Sequence, residues 1–188
     1  MNVQKILDKI RKTGSPLKRQ LLTAALISGL LEEKGKEVPT IIGGCALSYY
    51  SREVYFTADI VLAYADRAAL DEVLKTIGFN KEGRYWISED LKLAVEAPSS
   101  ALIGEDSPVE IVEIDEGLQC KIIGIEDLII DRLNACKNWK YETDCEMVYL
   151  LVRKYFGELD WAYLEKKAAE PDNNTASELR EIKKEAEK

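Results

Sequence analysis

Between Val38 and Ile123 the apolar residues gather into short runs of strand length, whereas the stretches on either side repeat at helical spacing. Strands in the middle with helices at both ends restrict the chain to a mixed α/β (α+β) layer fold, because a sheet has to bury a face against helices. Val38 to Ile42 ends at Gly43-Gly44 and hands over to helical Ala46 to Tyr50, and Tyr55 to Tyr64 is the next strand. Asp66 then caps a helix through Leu70, Val73, Leu74 and Ile77, which Gly78 ends. Phe79 to Ile87, Leu91 to Glu96, Val109 to Ile114 and Leu118 to Ile123 supply further strands. The last two are joined at Asp115-Glu116-Gly117 as a hairpin.

Two helices open the chain. Val3, Ile6, Leu7 and Ile10 mark the first, with Gly14 just beyond its end. Ser15-Pro16 reads as an N-cap followed by Pro at the first helical position. The second helix carries Leu17, Leu21, Leu22, Ala25, Leu26 and Leu30 on one stripe and closes at Lys34-Gly35. From Ile125 the chain is helical again. Leu128, Ile129, Arg132, Leu133 and Cys136 share a face, and another helix runs from about Tyr141 to Tyr155. Asp160 caps a third, which stops before Pro171. Thr175-Ala176-Ser177-Glu178 matches a capping box for a final, highly charged helix. That segment has few apolar residues, so the last ~15 residues are expected to be mobile. The expected organisation is N-terminal helices over 1–36 packing on an α/β core over 37–124, with a C-terminal helical part over 125–188.

Composition narrows the chemistry. A chain of 188 residues is long enough to bury a core without a metal or disulfide staple. There is no His, which removes Ser-His-Asp triads, Cys-His pairs and HExxH zinc sites. The net charge of −8 disfavours a nucleic-acid partner, which calls for a basic face. No apolar run approaches the roughly 20 residues of a membrane span, and Met1 to Arg11 lacks a signal-peptide core, so a cytoplasmic location is expected. Cys45, Cys120, Cys136 and Cys145 form no Cys-x-x-Cys pair and are expected as reduced thiols acting as small core residues.

Within this frame a few residues carry chemistry. Gly43-Gly44 stands where a strand hands over to a helix, a place where bare backbone and free N–H groups can meet a phosphate. Asp59 lies in the apolar stretch Phe56 to Leu62, where a carboxylate is costly to bury, and alternation puts Thr57, Asp59 and Val61 on one face. Glu96 ends another apolar strand in the same manner. Two such acids on neighbouring strands are candidates to share one Mg²⁺, against simple ion pairing or solvent exposure. Asp131, Arg132, Lys137, Trp139, Lys140 and Asp144 form a second cluster, read either as a phosphate-meeting surface or as a solvated helix face. Tyr49-Tyr50 are placed to stack on a base or to pack against the sheet.

The order of these parts resembles the nucleotidyltransferase fold superfamily, with its Gly-Gly or Gly-Ser turn, a following Asp-x-Asp or Asp-x-Glu pair and a third acid on a neighbouring strand. More narrowly, Gly78-Phe79, Glu82-Gly83-Arg84, Trp86-Ile87, Leu93-Ala94-Val95-Glu96, Gly124 to Leu128, Asp131-Arg132-Leu133 and Leu159-Asp160-Trp161 resemble a prokaryotic nucleotidyltransferase-like family, in the family's order and over roughly 38 to 168. The resemblance implies a nucleotidyltransferase-like mixed β-sheet flanked by helices. It further implies Asp59 and Glu96 as catalytic residues holding Mg²⁺. Gly43, Gly44, Ser48, Arg52, Lys137 and Lys140 would then be nucleotide-binding residues facing the triphosphate. The chain departs from the pattern at position 61, where Val61 stands in place of the second acid of the pair, and the spacer from Gly44 to Asp59 is slightly longer than usual. Glu53, Glu89 and Asp90 are the nearby acids that would have to substitute.

Three functions follow as expectations. The first is Mg²⁺-dependent transfer of a nucleoside monophosphate from a nucleotide triphosphate to an unknown hydroxyl acceptor. The second is a catalytically impaired, nucleotidyltransferase-like binding or regulatory protein, a nucleotide sensor or a toxin–antitoxin-type partner. The third is a structural protein whose interface lies on the C-terminal helices, as a homo-oligomer or with a protein partner.

Overall fold

The side chains of Ser15, Asp66 and Asp160 cap three helix starts, as the sequence predicts. The computed structural model describes residues 1–98, 107–139 and 142–188. Helix α1 is Val3–Lys12 and α2 is Pro16–Glu33, the latter opened by Ser15, whose hydroxyl accepts from the Lys18 amide. Strand β1 (Thr40–Ile42) runs straight into α3 (Gly43–Ser51), and β2 (Asp59–Ala63) returns beside it. Helix α4 (Arg67–Thr76) is capped by Asp66 through the Ala69 amide. The strands β3 (Asn80–Glu82), β4 (Tyr85–Ser88), β5 (Leu93–Glu96), β6 (Val109–Asp115) and β7 (Leu118–Ile123) follow. Helices α5 (Ile125–Trp139), α6 (Glu142–Tyr155), α7 (Trp161–Ala168) and α8 (Ala176–Ala186) complete the order, with Asp160 capping α7 through the Tyr163 amide. Tyr141 and Lys140 lie outside the described residues.

The chain divides into two units, residues 1–49 with 56–123 and residues 50–55 with 124–188. The first holds a seven-stranded mixed sheet of order β3-β4-β5-β2-β1-β7-β6, matching the mixed α/β expectation. Strands β1 and β7 are parallel, as are β2 and β5, and the other neighbours are antiparallel. One sheet face is fully buried: Ile60 and Leu62 of β2, Trp86 of β4, Val95 of β5 and Ile122 of β7. The Trp86 indole donates to Asp71 of α4 at 2.7 Å, which places α4 on this face, and α2 packs across β7, β6 and β2. Each such large apolar side chain contributes about 1.5–3 kcal/mol by leaving water, so this layer is the fold's main support. The alternate residues Asp59, Val61, Ala94 and Glu96 face the other way and are only half-buried.

In the second unit, α5 packs on α6 and α7, and α8 packs on α6 and α7, with Leu128, Val148, Leu151, Leu164 and Leu179 buried. Arg132 of α5 pairs with Asp131 at 2.5 Å and Asp144 of α6 at 2.9 Å.

Four expectations are corrected. The strand foreseen over Tyr55 to Tyr64 starts only at Asp59, because Arg52 and Glu53 both take positive φ in the turn leaving α3 and delay the extended chain. The run Phe79 to Ile87 is two strands, since Gly83 (φ +60) turns the chain within a two-residue hairpin loop. Positive φ at the first loop position alone is the type II′ pattern, which glycine favours. Thr175 precedes α8 but makes no capping bond, and its Oγ1 is buried without a partner. Cys136 and Cys145 are not reduced thiols but form a disulfide. Packing of α5 on α6 brings their Cα atoms to 5.0 Å, inside the roughly 4.4–6.8 Å a disulfide spans. Cys45 and Cys120 remain free and buried, as expected.

Candidate functional site

The half-buried sheet face of the first unit gathers most of the residues the sequence singles out. Strand pairing sets Ile42 opposite Val61, Val61 beside Glu96, and Glu96 opposite Tyr85, one row across β1, β2, β5 and β4. Residues paired across strands point to the same face. Asp59 stands two residues before Val61, beside Ala94 of β5. Asp59 and Glu96 are thus diagonal neighbours on one face, about 7–8 Å apart at the backbone.

The Gly43-Gly44 turn lies over this row. A Cβ on Gly44 would sit 3.1 Å from Thr57 Cβ and Cγ2, and one on Gly43 would sit 3.7 Å from Val61 Cβ. Gly43 also has φ +63, a conformation that L side chains rarely adopt. Gly43 is therefore favoured by its backbone angle, and Gly44 by the close approach of Thr57, where the first turn of α3 meets β2 and the chain entering it. That first turn offers amide donors without intrahelical partners, beside the Thr57, Asp59 and Val61 face.

Two further interactions hold Asp59 in place. The Thr57 hydroxyl donates to Asp59 Oδ1. Beneath them the Gln20 side-chain amide donates to the backbone carbonyls of Thr57 at 2.8 Å and Asp59 at 3.2 Å. Gln20 is only 1% exposed, and its Oε1 accepts the Cys45 thiol at 3.7 Å. A buried glutamine tying down two alternate carbonyls at the strand entry holds the backbone from which the Asp59 side chain projects. Its sequence signal is a polar residue within the apolar stripe of α2.

Glu96 is met by Arg84, which the sequence marks only as part of the Glu82-Gly83-Arg84 segment. Arg84 Nε lies 3.3 Å from Glu96 Oε1; the Glu96 side chain is 12% exposed and that of Arg84 69%. The Arg84 guanidinium stacks over the Tyr85 ring with 4.7 Å to its centroid and hydrogen-bonds the Tyr85 hydroxyl. That hydroxyl, then the charge of Glu96, and to a smaller degree Asp59, raise the Arg84 pKa. Arg84 follows Gly83 in the hairpin loop, so a Gly-cation pair between strands, one strand away from an acid, is the signal that could have found it.

The remaining expected residues are placed differently. Ser48 is buried in α3, 2% exposed. In the second unit Arg52 is exposed at φ +57, and Lys154 donates to the Tyr50 carbonyl at 2.7 Å. Burial, and then the charge of Arg52, lower the Lys154 pKa. Lys137 is engaged within its own unit by Glu178 at 3.0 Å and by the Asn174 carbonyl, tethering α5 to α8. Lys140 lies outside the described residues. Of the acids that might have replaced an acid at position 61, Asp90 pairs with Arg11 of α1 at 2.8 Å, and Glu53 is exposed in the turn after α3.

These residues do not fit the metal centre the resemblance implies. Val61 stands beside Glu96 at the position that the resemblance gives to an acid, the Glu96 carboxylate is met by Arg84, and among the described residues no three acidic, Cys or His side chains are gathered for an ion. Cations such as Mg²⁺ demand near-ideal oxygen geometry, which one hydroxyl-bound and one arginine-bound carboxylate do not offer.

No protein-family model matches the chain, and no curated protein matches it. Among solved structures the chain is similar to the antibiotic-resistance factor ANT(2'')-Ia, whose solution structure is described as revealing substrate-regulated conformation dynamics. The identity is 16%, the match covers 88% of this chain and 97% of that one, and the TM-score is 0.39. Among the described residues no helix is long and apolar enough to cross a membrane.

Proposed function

We propose that the chain is a nucleotidyltransferase-like nucleotide-binding protein, taking the phosphates of a nucleoside triphosphate at the Gly43-Gly44 turn. The observation that carries this reading is the bare backbone of Gly43 and Gly44 lying over Thr57 and Val61, with Asp59 and Glu96 on the same face. Phosphate oxygens accept from free amides at a helix start, and the helix dipole favours their charge.

Isothermal titration of ATP, GTP, CTP and UTP, each with excess EDTA and then with Mg²⁺, tests the reading. Binding of at least one triphosphate in EDTA, weakened tenfold or more by Gly43→Val, is expected. If none binds up to millimolar concentration under either condition, the reading falls.

A second reading, transfer of a nucleoside monophosphate to a hydroxyl acceptor, is favoured by one observation: Asp59 and Glu96 are diagonal neighbours on one face. It predicts pyrophosphate release dependent on Asp59 in the presence of an acceptor. Asp59→Asn with unchanged release would dismiss it.

A further inference from the structure

Two carboxylates on the proposed phosphate site pose a charge problem, since a triphosphate approaching Asp59 and Glu96 meets charge of its own sign. In the resemblance the answer is Mg²⁺, and among the described residues no three acidic, Cys or His side chains are gathered to hold it. The residues here supply a cation of another kind. Arg84 projects from a two-residue hairpin loop, rests on the Tyr85 ring, and reaches Glu96 with its Nε at 3.3 Å.

That geometry is suited to exchange. The Arg84 side chain is mostly exposed while Glu96 is mostly buried, so the acid depends on the arginine for its counter-charge more than the reverse. An ion pair whose cation stands largely in solvent is screened and can exchange its partner. A guanidinium presents five donors in a planar fork that matches phosphate oxygens two at a time, which an ammonium does not. Tyr85 directly opposite Glu96 gives the guanidinium a fixed platform, so the group is placed without being locked.

We infer that Arg84 is the built-in cation of this site: it occupies the place beside Glu96 that a divalent metal would take, and it binds the polyphosphate of the ligand directly. The second half of this inference rests on the nucleotide-binding reading above; the first half does not. Glu96 thus has the apolar Val61 beside it on β2 and the positive charge of Arg84 from the β3–β4 loop. The chemical class of ligand is a di- or triphosphate taken up without a metal.

The test uses the full chain with Arg84→Ala, Arg84→Lys and the double variant Arg84→Ala/Glu96→Gln, each checked for folding by circular dichroism. Mn²⁺ binding is read by electron paramagnetic resonance without nucleotide. Arg84→Ala is expected to bind Mn²⁺ at least tenfold more tightly than the unmodified chain, and the double variant is expected to lose that gain. Equal Mn²⁺ affinity in the unmodified chain and Arg84→Ala would overturn the proposal. Titration of ATP in EDTA is the second arm: Arg84→Ala is expected to weaken binding at least tenfold, with Arg84→Lys recovering only part of it. Unchanged affinity would overturn the phosphate role. If no triphosphate binds the unmodified chain at all, the nucleotide reading and the phosphate role fall together, while the Mn²⁺ arm still decides whether Arg84 holds the metal's place.

Discussion

Glu96 lies directly beside Val61 on the neighbouring parallel strand, so the one acid of β5 is paired with the one position of β2 where an acid is missing. Val61→Asp would put a second carboxylate in line with Glu96 and on the face of Asp59. Three acids with oxygen ligands within one small patch suit a divalent cation. The variant is expected to bind Mn²⁺ at least tenfold more tightly than the unmodified chain, measured by paramagnetic line broadening. No gain would mean that the two strands do not bring their carboxylates together.

Gly44→Ala introduces a methyl group 3.1 Å from two Thr57 carbons. The chain entering β2 cannot retreat easily, because Gln20 ties the backbone of Thr57 and Asp59. Overpacking of this kind costs roughly 1–3 kcal/mol. Urea unfolding should show that loss, and nucleotide binding should weaken with it. A variant as stable as the parent would show that the turn is not pressed onto the strand.

Reduction of the Cys136–Cys145 disulfide should destabilise the second unit. A crosslink spanning nine residues in sequence restricts the unfolded chain by about 2–3 kcal/mol in the loop-entropy description. Thermal unfolding with and without a phosphine reductant, compared with Cys136→Ser/Cys145→Ser, measures it. Thiol titration of the denatured, unreduced chain should return two thiols, rising to four after reduction. Four thiols before reduction would dismiss the crosslink.

Stability should decline on the alkaline side. Burial raises the Cys45 thiol well above its ordinary value and pushes Cys120 up to about 12, against a usual 9.0. Burial raises the Tyr64 hydroxyl as well. The unfolded chain gives up thiol protons that the folded chain keeps, so the thiols' contribution is complete below pH 9 and is lost progressively between 9 and 12. The slope is at most about 1.4 kcal/mol per pH unit for each thiol. Urea midpoints from pH 8 to 10.5 should fall, less steeply in Cys120→Ala. Iodoacetamide at pH 8.5 should leave both thiols of the native chain unmodified; rapid alkylation of either would show it to be accessible.

Much of the scaffold is written locally. Ser15, Asp66 and Asp160 cap the helices they were expected to cap, because a cap needs only a side chain and an amide three residues away. The alternation of Asp59, Ile60, Val61 and Leu62 likewise announces which side of β2 is buried, since side-chain period two is a property of the strand itself. The Gly43-Gly44 handover from strand to helix was legible for the same reason.

What the sequence by itself determined is therefore the kind and order of the elements, the mixed α/β class, and the two acids and two glycines as the residues worth watching. Tertiary structure alone decided who meets whom. Val61 beside Glu96, Tyr85 opposite Glu96, Gln20 beneath Asp59 and Cys136 bonded to Cys145 are all pairings between elements. Register and helix packing set such pairings, and these depend on the summed burial of many side chains rather than on any short motif. For that reason Lys137, promising on its helix, is tethered by Glu178, while Arg84, given no site role by its sequence, stands at the acid.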